Sequence, residues 1–317
     1  MTYIRHAISD DLNNLPQLPG WVTSGHAETL ETVAFRSGAA LTIIDQLVGD
    51  PRYGVPVNLL ANRLALNAAT ATSKLEGRLA READIRDAYH LTPPGEARGP
   101  DGDLLAFWRS AVRLRPGGMG EIADLIGADL AGEVGVWIDA GQERARTHGA
   151  LAGCVSVLQA VLDVDDRAER GACLLSDIVL ARTLNWPSVL PISAQYLTKA
   201  ILRDLRGDGQ RADLVAQQRI SQSMEETIRL ARDLARRAEA LCTVTPKLRA
   251  KGSDAAVALF LSEDAVVPST MLSPVIQGTT IPMTDRAARR FCDRLIELGV
   301  ARELTGRSTF RLYGIAP

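Results

Sequence analysis

Before Val300 almost nothing in this chain alternates apolar and polar residues with the two-residue period of a strand, so helices must build most of the fold. Apolar residues recur instead at steps of three and four. Val33, Ala34, Ser37, Ala40, Leu41, Ile44 and Leu47 trace one face of a helix over residues 28–48. Leu60, Leu64 and Ala68 trace a second over 57–71, which continues or restarts through 73–77. Residues 50–56, with two prolines and a glycine, separate the pair. Further helices are predicted at 81–89, 103–114, 120–130, 139–162, 166–184, 193–206 and 211–241. Residues 92–102 read as a proline- and glycine-rich loop, 116–120 as a breaker, and 185–191 as the main later break. Aromatic residues are 4% of the chain against 46% hydrophobic overall, so the core is expected to consist of small and aliphatic side chains. Its 317 residues suffice for one large domain and a small one, or two medium ones.

The ending has a different pattern. Thr284 is placed to cap a helix by accepting from a free first-turn amide, and Gly299 to end it in the left-handed conformation. Between them Ala288, Phe291, Cys292, Leu295 and Ile296 share one face, while Arg286, Arg289, Arg290 and Arg294 share the other. Two short strand-like runs come next, joined by residues 305–309 with Arg307, and the second run carries Arg311. A helix feeding a hairpin is how a winged helix-turn-helix ends. Residues 244–253, basic and broken by Pro246 and Gly252, mark the boundary before its first helix at 254–261. The predicted organisation is an arm (1–28), a helical bundle (29–245) made of N-terminal helices 29–115 and a core 120–245, and a winged helix-turn-helix (246–317).

Arg286, Arg289, Arg290, Arg307 and Arg311 are the candidate DNA contacts, with Lys247, Arg249 and Lys251 close in sequence. From residue 284 onward seven arginines stand against four acids, a net of +3, whereas the whole chain is at −2. The positive charge is local, and sparser than the basic stripe of most DNA-binding domains. The same pattern serves a protein-docking unit or a solvated helix face.

Other chemistries find little footing. Cys154, Cys173, Cys242 and Cys292 lie far apart in apolar surroundings and are expected to be buried free thiols. His6, His26, His90 and His148 are dispersed, and HExxH, GxSxG, P-loop and GxGxxG patterns are absent, so no metal or cofactor is predicted. No run approaches eighteen apolar residues and the first residues lack an apolar signal core, which points to a cytoplasmic protein without membrane association.

Long segments carry a resemblance. Residues 63–91, residues 246–255 and the ending Arg302-Glu-Leu-Thr-Gly-Arg-Ser-Thr-Phe-Arg-Leu-Tyr-Gly314 resemble the bacterial family DUF1403, a domain of unknown function, over most of the chain. A more distant resemblance is to the Fic superfamily, whose members transfer AMP from ATP to protein hydroxyls. They often carry an inhibitory helix with Ser or Thr four residues before Glu, then Gly or Asn. They also carry a helical core with His-Pro-Phe-x-Asp/Glu-Gly-Asn-Gly-Arg-x-x-Arg, and a C-terminal winged helix. Thr72-Ser-Lys-Leu-Glu76-Gly77 is similar to the inhibitory pattern. Matching on Arg167 and Arg170 places Asp163 at the acidic position, Gln159 at the histidine and Val164-Asp165-Asp166 at Gly-Asn-Gly. Glutamine cannot take the target hydroxyl's proton, and two aspartates would repel phosphates that the glycine turn holds. The resemblance therefore implies a Fic-like bundle without transfer activity, with Thr72, Glu76, Asp163, Arg167 and Arg170 as a vestigial nucleotide pocket.

Ordinary roles compete for the same residues. Glu76 can be a helix-end glutamate before a Gly77 stop, and the aspartates can sit at a helix N-terminus with Arg167 and Arg170 as partners of Asp163 and Asp166. Residues 90–98, where His90, Gly95 and Arg98 echo the Fic motif, read as a proline-rich turn. The preferred expectation is a mainly α, non-catalytic regulatory or architectural protein that binds DNA, or a partner on DNA, through its C-terminal unit. The bundle would serve a homodimer or another protein. A Fic-type AMP transferase or nucleotide-binding relic, and a protein-only assembly subunit, are the alternatives.

Overall fold

A computed structural model describes residues 14–25, 29–93, 95–207, 209–248, 251–307 and 309–316. Most of the predicted arm, together with His6, His26 and Arg249, lies outside the described residues. The fold is mainly α. After the short α1 (Gly20–Thr23) come α2 (Leu30–Gly49), α3 (Val57–Leu75), α4 (Glu82–Leu91) and α5 (Gly99–Ala111). Then come α6 (Met119–Ile126), α7 (Ala128–Ala131), α8 (Val134–His148), α9 (Ala150–Val164) and α10 (Glu169–Thr183). The bundle closes with α11 (Lys199–Gly207) and the 36-residue α12 (Gly209–Val244).

Helix α2 starts at a capping box between Thr29 and Thr32 and buries Val33, Ser37, Ala40, Leu41, Ile44 and Leu47; Ala34 alone of the predicted face is exposed. Helix α3 runs unbroken to Leu75, with most of its circumference buried. At the centre lies α10, in which every residue from Ala172 to Ala181 is buried between α9, α8 and α3. The long α12 packs along α2 and touches α3, α9 and α11.

Several expectations about helix ends change: residues 120–130 split at Gly127 into α6 and α7, and the helix predicted over 193–206 begins only at Lys199. Residues 139–162 form two helices, because Gly149 takes a φ of 95° and turns the chain back on itself. The resulting α8–α9 hairpin closes where small residues meet. A Cβ on Gly153 would stand 2.5 Å from the Gly141 carbonyl oxygen, so the backbones come closer than any side chain permits. The loop predicted at 92–102 is shorter, since Pro100 needs no amide partner in a first turn and α5 begins at Gly99.

The chain ends in α13 (Ser253–Phe260), a turn at Pro268–Leu272, α14 (Asp285–Glu297) and the strands β1 (Ala301–Glu303) and β2 (Tyr313–Ile315). The strands pair antiparallel in the register Ala301↔Ile315, Arg302↔Gly314 and Glu303↔Tyr313. On the other side of Tyr313 an isolated bridge adds Val266. As predicted, Thr284 Oγ1 accepts from the Ala287 amide at 3.3 Å and Gly299 has a φ of 72°. Helix α14 buries Ala288, Phe291, Cys292 and Leu295, but Ile296 is 40% exposed. The buried stripe packs chiefly on the 268–272 turn and β1, with Phe291 against Phe260 of α13 at 6.2 Å between ring centres.

Candidate functional site

The narrow stripe leaves Arg286, Arg289, Arg290 and Arg294 exposed on the outer side of α14. Arg289 pairs with Asp285 at 2.8 Å and Arg294 with Glu297 at 2.9 Å. Among the described residues Arg286 and Arg290 have no ion pair. The loop arginine behaves differently. Arg307 reaches Asp87 on α4 at 3.5 Å, and its carbonyl accepts from Arg311 Nε at 3.2 Å, so the hairpin loop is tied to the bundle.

That tie belongs to a buried ionic junction. Asp264, fully buried after α13, and Glu263 both accept from Arg109 of α5, and His90 Nε2 lies 3.4 Å from the Asp264 carboxylate. Burial alone would raise the Asp264 pKa, but His90, Arg109 and Arg63 overcome it and bring it to about 2. Tyr89 is flanked by the Arg98 and Arg109 guanidiniums, each 5.1 Å from its ring centre. Arg86 bonds Asp87 at 2.7 Å and the Leu304 carbonyl at 3.0 Å, and Asn62 donates to the Ser262 carbonyl at 2.7 Å. His90 thus lies in the last turn of α4 as a member of this junction, and the turn read from sequence comes after it. A cue was present in the sequence: Arg109 continues the apolar spacing of Leu105 and Trp108, and the acids at 263 and 264 directly succeed an apolar helix.

The residues matched to the Fic superfamily divide into two groups. Glu76 caps α3, and Gly77 with a φ of 79° ends it. Its carboxylate accepts from Arg78 at 2.7 Å and forms an ion pair with Arg170 Nε at 3.0 Å, and Arg170 lies 5.0 Å above the Phe107 ring. One turn earlier, buried Thr72 accepts from Trp108 Nε1 at 3.0 Å and donates to the Ala68 carbonyl at 2.8 Å. Thr72, Glu76 and Arg170 therefore gather around α5. Asp163, Asp165 and Asp166 lie at the end of α9 and in the loop after it, not at a helix N-terminus. Asp163 and Asp166 meet Arg206 of α11 at 4.0 and 3.2 Å, rather than Arg167 and Arg170, and Asp165 accepts from the Arg167 amide at 3.0 Å. The Arg167 side chain is exposed.

Gln159 faces elsewhere. It lines a cavity of about 430 Å³ between α2, α8, α9 and α12, together with Arg144, His148, Ser156, Asp213 and Gln217. Arg144 Nη1 lies 3.2 Å from His148 Nε2, and burial raises the Asp213 pKa against the pull of Arg144. Sequence reading missed this cluster because its members come from separate helices at no motif spacing.

Cys154, Cys173, Cys242 and Cys292 are buried and outside any disulfide, and burial pushes the Cys154 pKa up to about 12. No group of three or more His, Cys, Asp or Glu that could hold a metal lies among the described residues. Nor is any described helix long and apolar enough to cross a membrane.

These features define a mainly helical bundle to which a helix-and-hairpin unit is locked by buried charge. The chain belongs to the family described as Protein of unknown function (DUF1403), whose model matches residues 6–315 and so spans both parts. A comparison with curated proteins gives no match.

Proposed function

We propose that this protein is a non-catalytic regulatory or architectural factor that contacts DNA, or a partner on DNA, through its C-terminal unit, with α14 as the contacting helix. The carrying observation is the outer face of α14, where Arg286 and Arg290 stand one turn apart, exposed and without intramolecular partners among the described residues. The Arg289–Asp285 pair is exposed, and such pairs hold by at most about 1 kcal/mol, so Arg289 can turn to a phosphate. The order of elements favours a winged helix: α13, an extended Val266, a turn, the arginine-bearing α14, then two strands of which the second pairs with Val266. Arg307 and Arg311 become wing residues that orient the loop against α4, with Asp87 competing for Arg307.

The test is fluorescence anisotropy of a labelled generic duplex with the full chain across a salt series, beside Arg286→Ala/Arg290→Ala. Each neutralised phosphate contributes a slope of about 0.9 in log K against log salt, so losing two contacts should flatten it by about 2. An unchanged slope, or no binding at low salt, would remove this reading in favour of a protein-only contact. The Glu76–Arg170 pair favours a second reading, a Fic-like relic whose glutamate occupies an arginine kept for nucleotide phosphate. An ATP arm separates the two: thermal stabilisation by ATP that disappears in Arg170→Ala would favour the relic.

A further inference from the structure

The hairpin meets the bundle at a second place, where three arginines converge. A Cβ at position 314 would meet the Asp264 carbonyl oxygen and Leu304 Cδ1 at 3.1 Å and Arg63 Nη2 at 3.4 Å, so the Arg63 guanidinium of α3 packs against the hairpin face at Gly314. Arg302 is the cross-strand partner of Gly314 and projects from that same face. From α12, Arg237 donates to the Ala316 carbonyl at 2.8 Å, two residues further along. Arg63 feels Arg302 and Arg237 as like charges: after burial, they lower its pKa, against Asp264 and Glu82.

Asp264 and Glu82 act on Arg63 without an ion pair, and Arg237 alone of the three arginines is ion-paired among the described residues. Asp264 is held by Arg109 and His90, and Asp233 by Arg237. Arg63 and Arg302 have no ion pair among the described residues, and the Nε atoms of Arg63 and Arg237 are buried without a hydrogen-bond partner. Unused guanidinium donors on convergent elements suit an oxyanion that presents several oxygens.

A groove of about 380 Å³ lies beside them between α3 and α12, lined among others by Leu64, Asn67, Gln195, Thr227 and Arg229, and its lining residue Asp233 pairs with Arg237. Asn67 is one turn from Arg63 on α3, and Asp233, also lining the groove, is one turn from Arg237 on α12. The volume is that of a small-ligand site. Asp233 and Glu226 in the lining disfavour a continuous polyanion and suit a single phosphate on a polar, uncharged or cationic body.

We propose that Arg63, Arg237 and Arg302 bind the phosphate of a small phosphate monoester whose body lies in the groove between α3 and α12. The site is separate from the outer face of α14. Thermal denaturation of the full chain in chloride, inorganic phosphate and ribose 5-phosphate at matched ionic strength tests it. The melting temperature should rise in phosphate and rise further, at lower concentration, in ribose 5-phosphate. Exposed Arg302→Ala should weaken both apparent affinities at least ten-fold while melting no lower than the parent in chloride, because a like charge has been removed. Arg63→Met should act likewise where it folds, and Arg286→Ala/Arg290→Ala should keep the full response. The proposal fails if phosphate gives no shift beyond chloride, or if Arg302→Ala retains the shift. It also fails if the α14 variant loses the shift, if ribose 5-phosphate binds no better than phosphate, or if only duplex DNA stabilises the chain.

Discussion

Asp177 is a carboxylate in the middle of the most buried helix, and its neighbours decide its charge. Oδ1 accepts from the Ile192 and Ser193 amides at 3.0 and 2.9 Å, while Oδ2 is buried without a partner. Burial raises its pKa to about 7, the two amides opposing the rise. The folded state thus keeps a proton that the unfolded chain releases near its ordinary value of 3.8. Stability from this group is fully present below that value and is lost as pH rises through about 7, on the order of 4 kcal/mol. Asp177→Asn keeps the Oδ1 acceptor and removes the titration, so urea unfolding at pH 5 and pH 8 should show a smaller loss than in the parent. Equal losses in the two proteins would refute the assignment. Sequence periodicity placed Asp177 on a helix, and the apolar residues around the whole circumference of α10 are the cue to its burial on every side, one that a single-face pattern does not use.

At the scale of elements, periodicity and capping residues were sufficient wherever a helix had one face inward and a clear stop. Thr284, Gly77 and Gly299 mark ends that the structure places within a few residues of the predicted ones, and α2, read from spacing alone over 28–48, runs Leu30–Gly49. The α8–α9 turn was not legible, since Gly149 is a single glycine between a largely polar stretch, 142–148, and an apolar one, 150–162, and only the packing of Gly141 on Gly153 shows why the chain must reverse there. Gly153→Ala would press a methyl against a backbone oxygen that cannot yield, and it should lose about 1–3 kcal/mol despite alanine's better helix propensity. Gly38→Ala in α2, where a Cβ meets nothing within 4 Å, should gain up to about 1 kcal/mol. Opposite shifts in melting temperature are expected, and a stabilised Gly153→Ala would contradict the close approach of the two helices. No local rule of sequence links Glu76 to Arg170, since they stand 94 positions apart.

For the molecule as a whole, the boundary near residue 245 reads in sequence as a linker, yet the helix-and-hairpin unit beyond it is bound to α3, α4, α5 and α12 by polar and ionic contacts. Asp264 is the centre of that junction. Its folded pKa lies near 2, so its contribution is present above the ordinary carboxylate range and is lost as pH falls towards 2. Asp264→Ala strands Arg109 with Glu263 alone and should cost about 3–5 kcal/mol in denaturant unfolding. A loss under about 1 kcal/mol would mean that the junction is decorative. Such long-range pairing was not readable from the sequence, since periodicity reports which face is buried but not against what.

The same junction has a consequence for synthesis. Arg109 leaves the ribosome 155 residues before Asp264, so a newly made bundle holds a buried-destined cation with no acid to meet it. Until the later segment emerges, that cation stays hydrated and the faces of α4 and α5 stay open to chaperones and proteases. Completion of this fold is therefore timed by the arrival of its final quarter, and pausing of translation before residue 264 would lengthen the vulnerable interval.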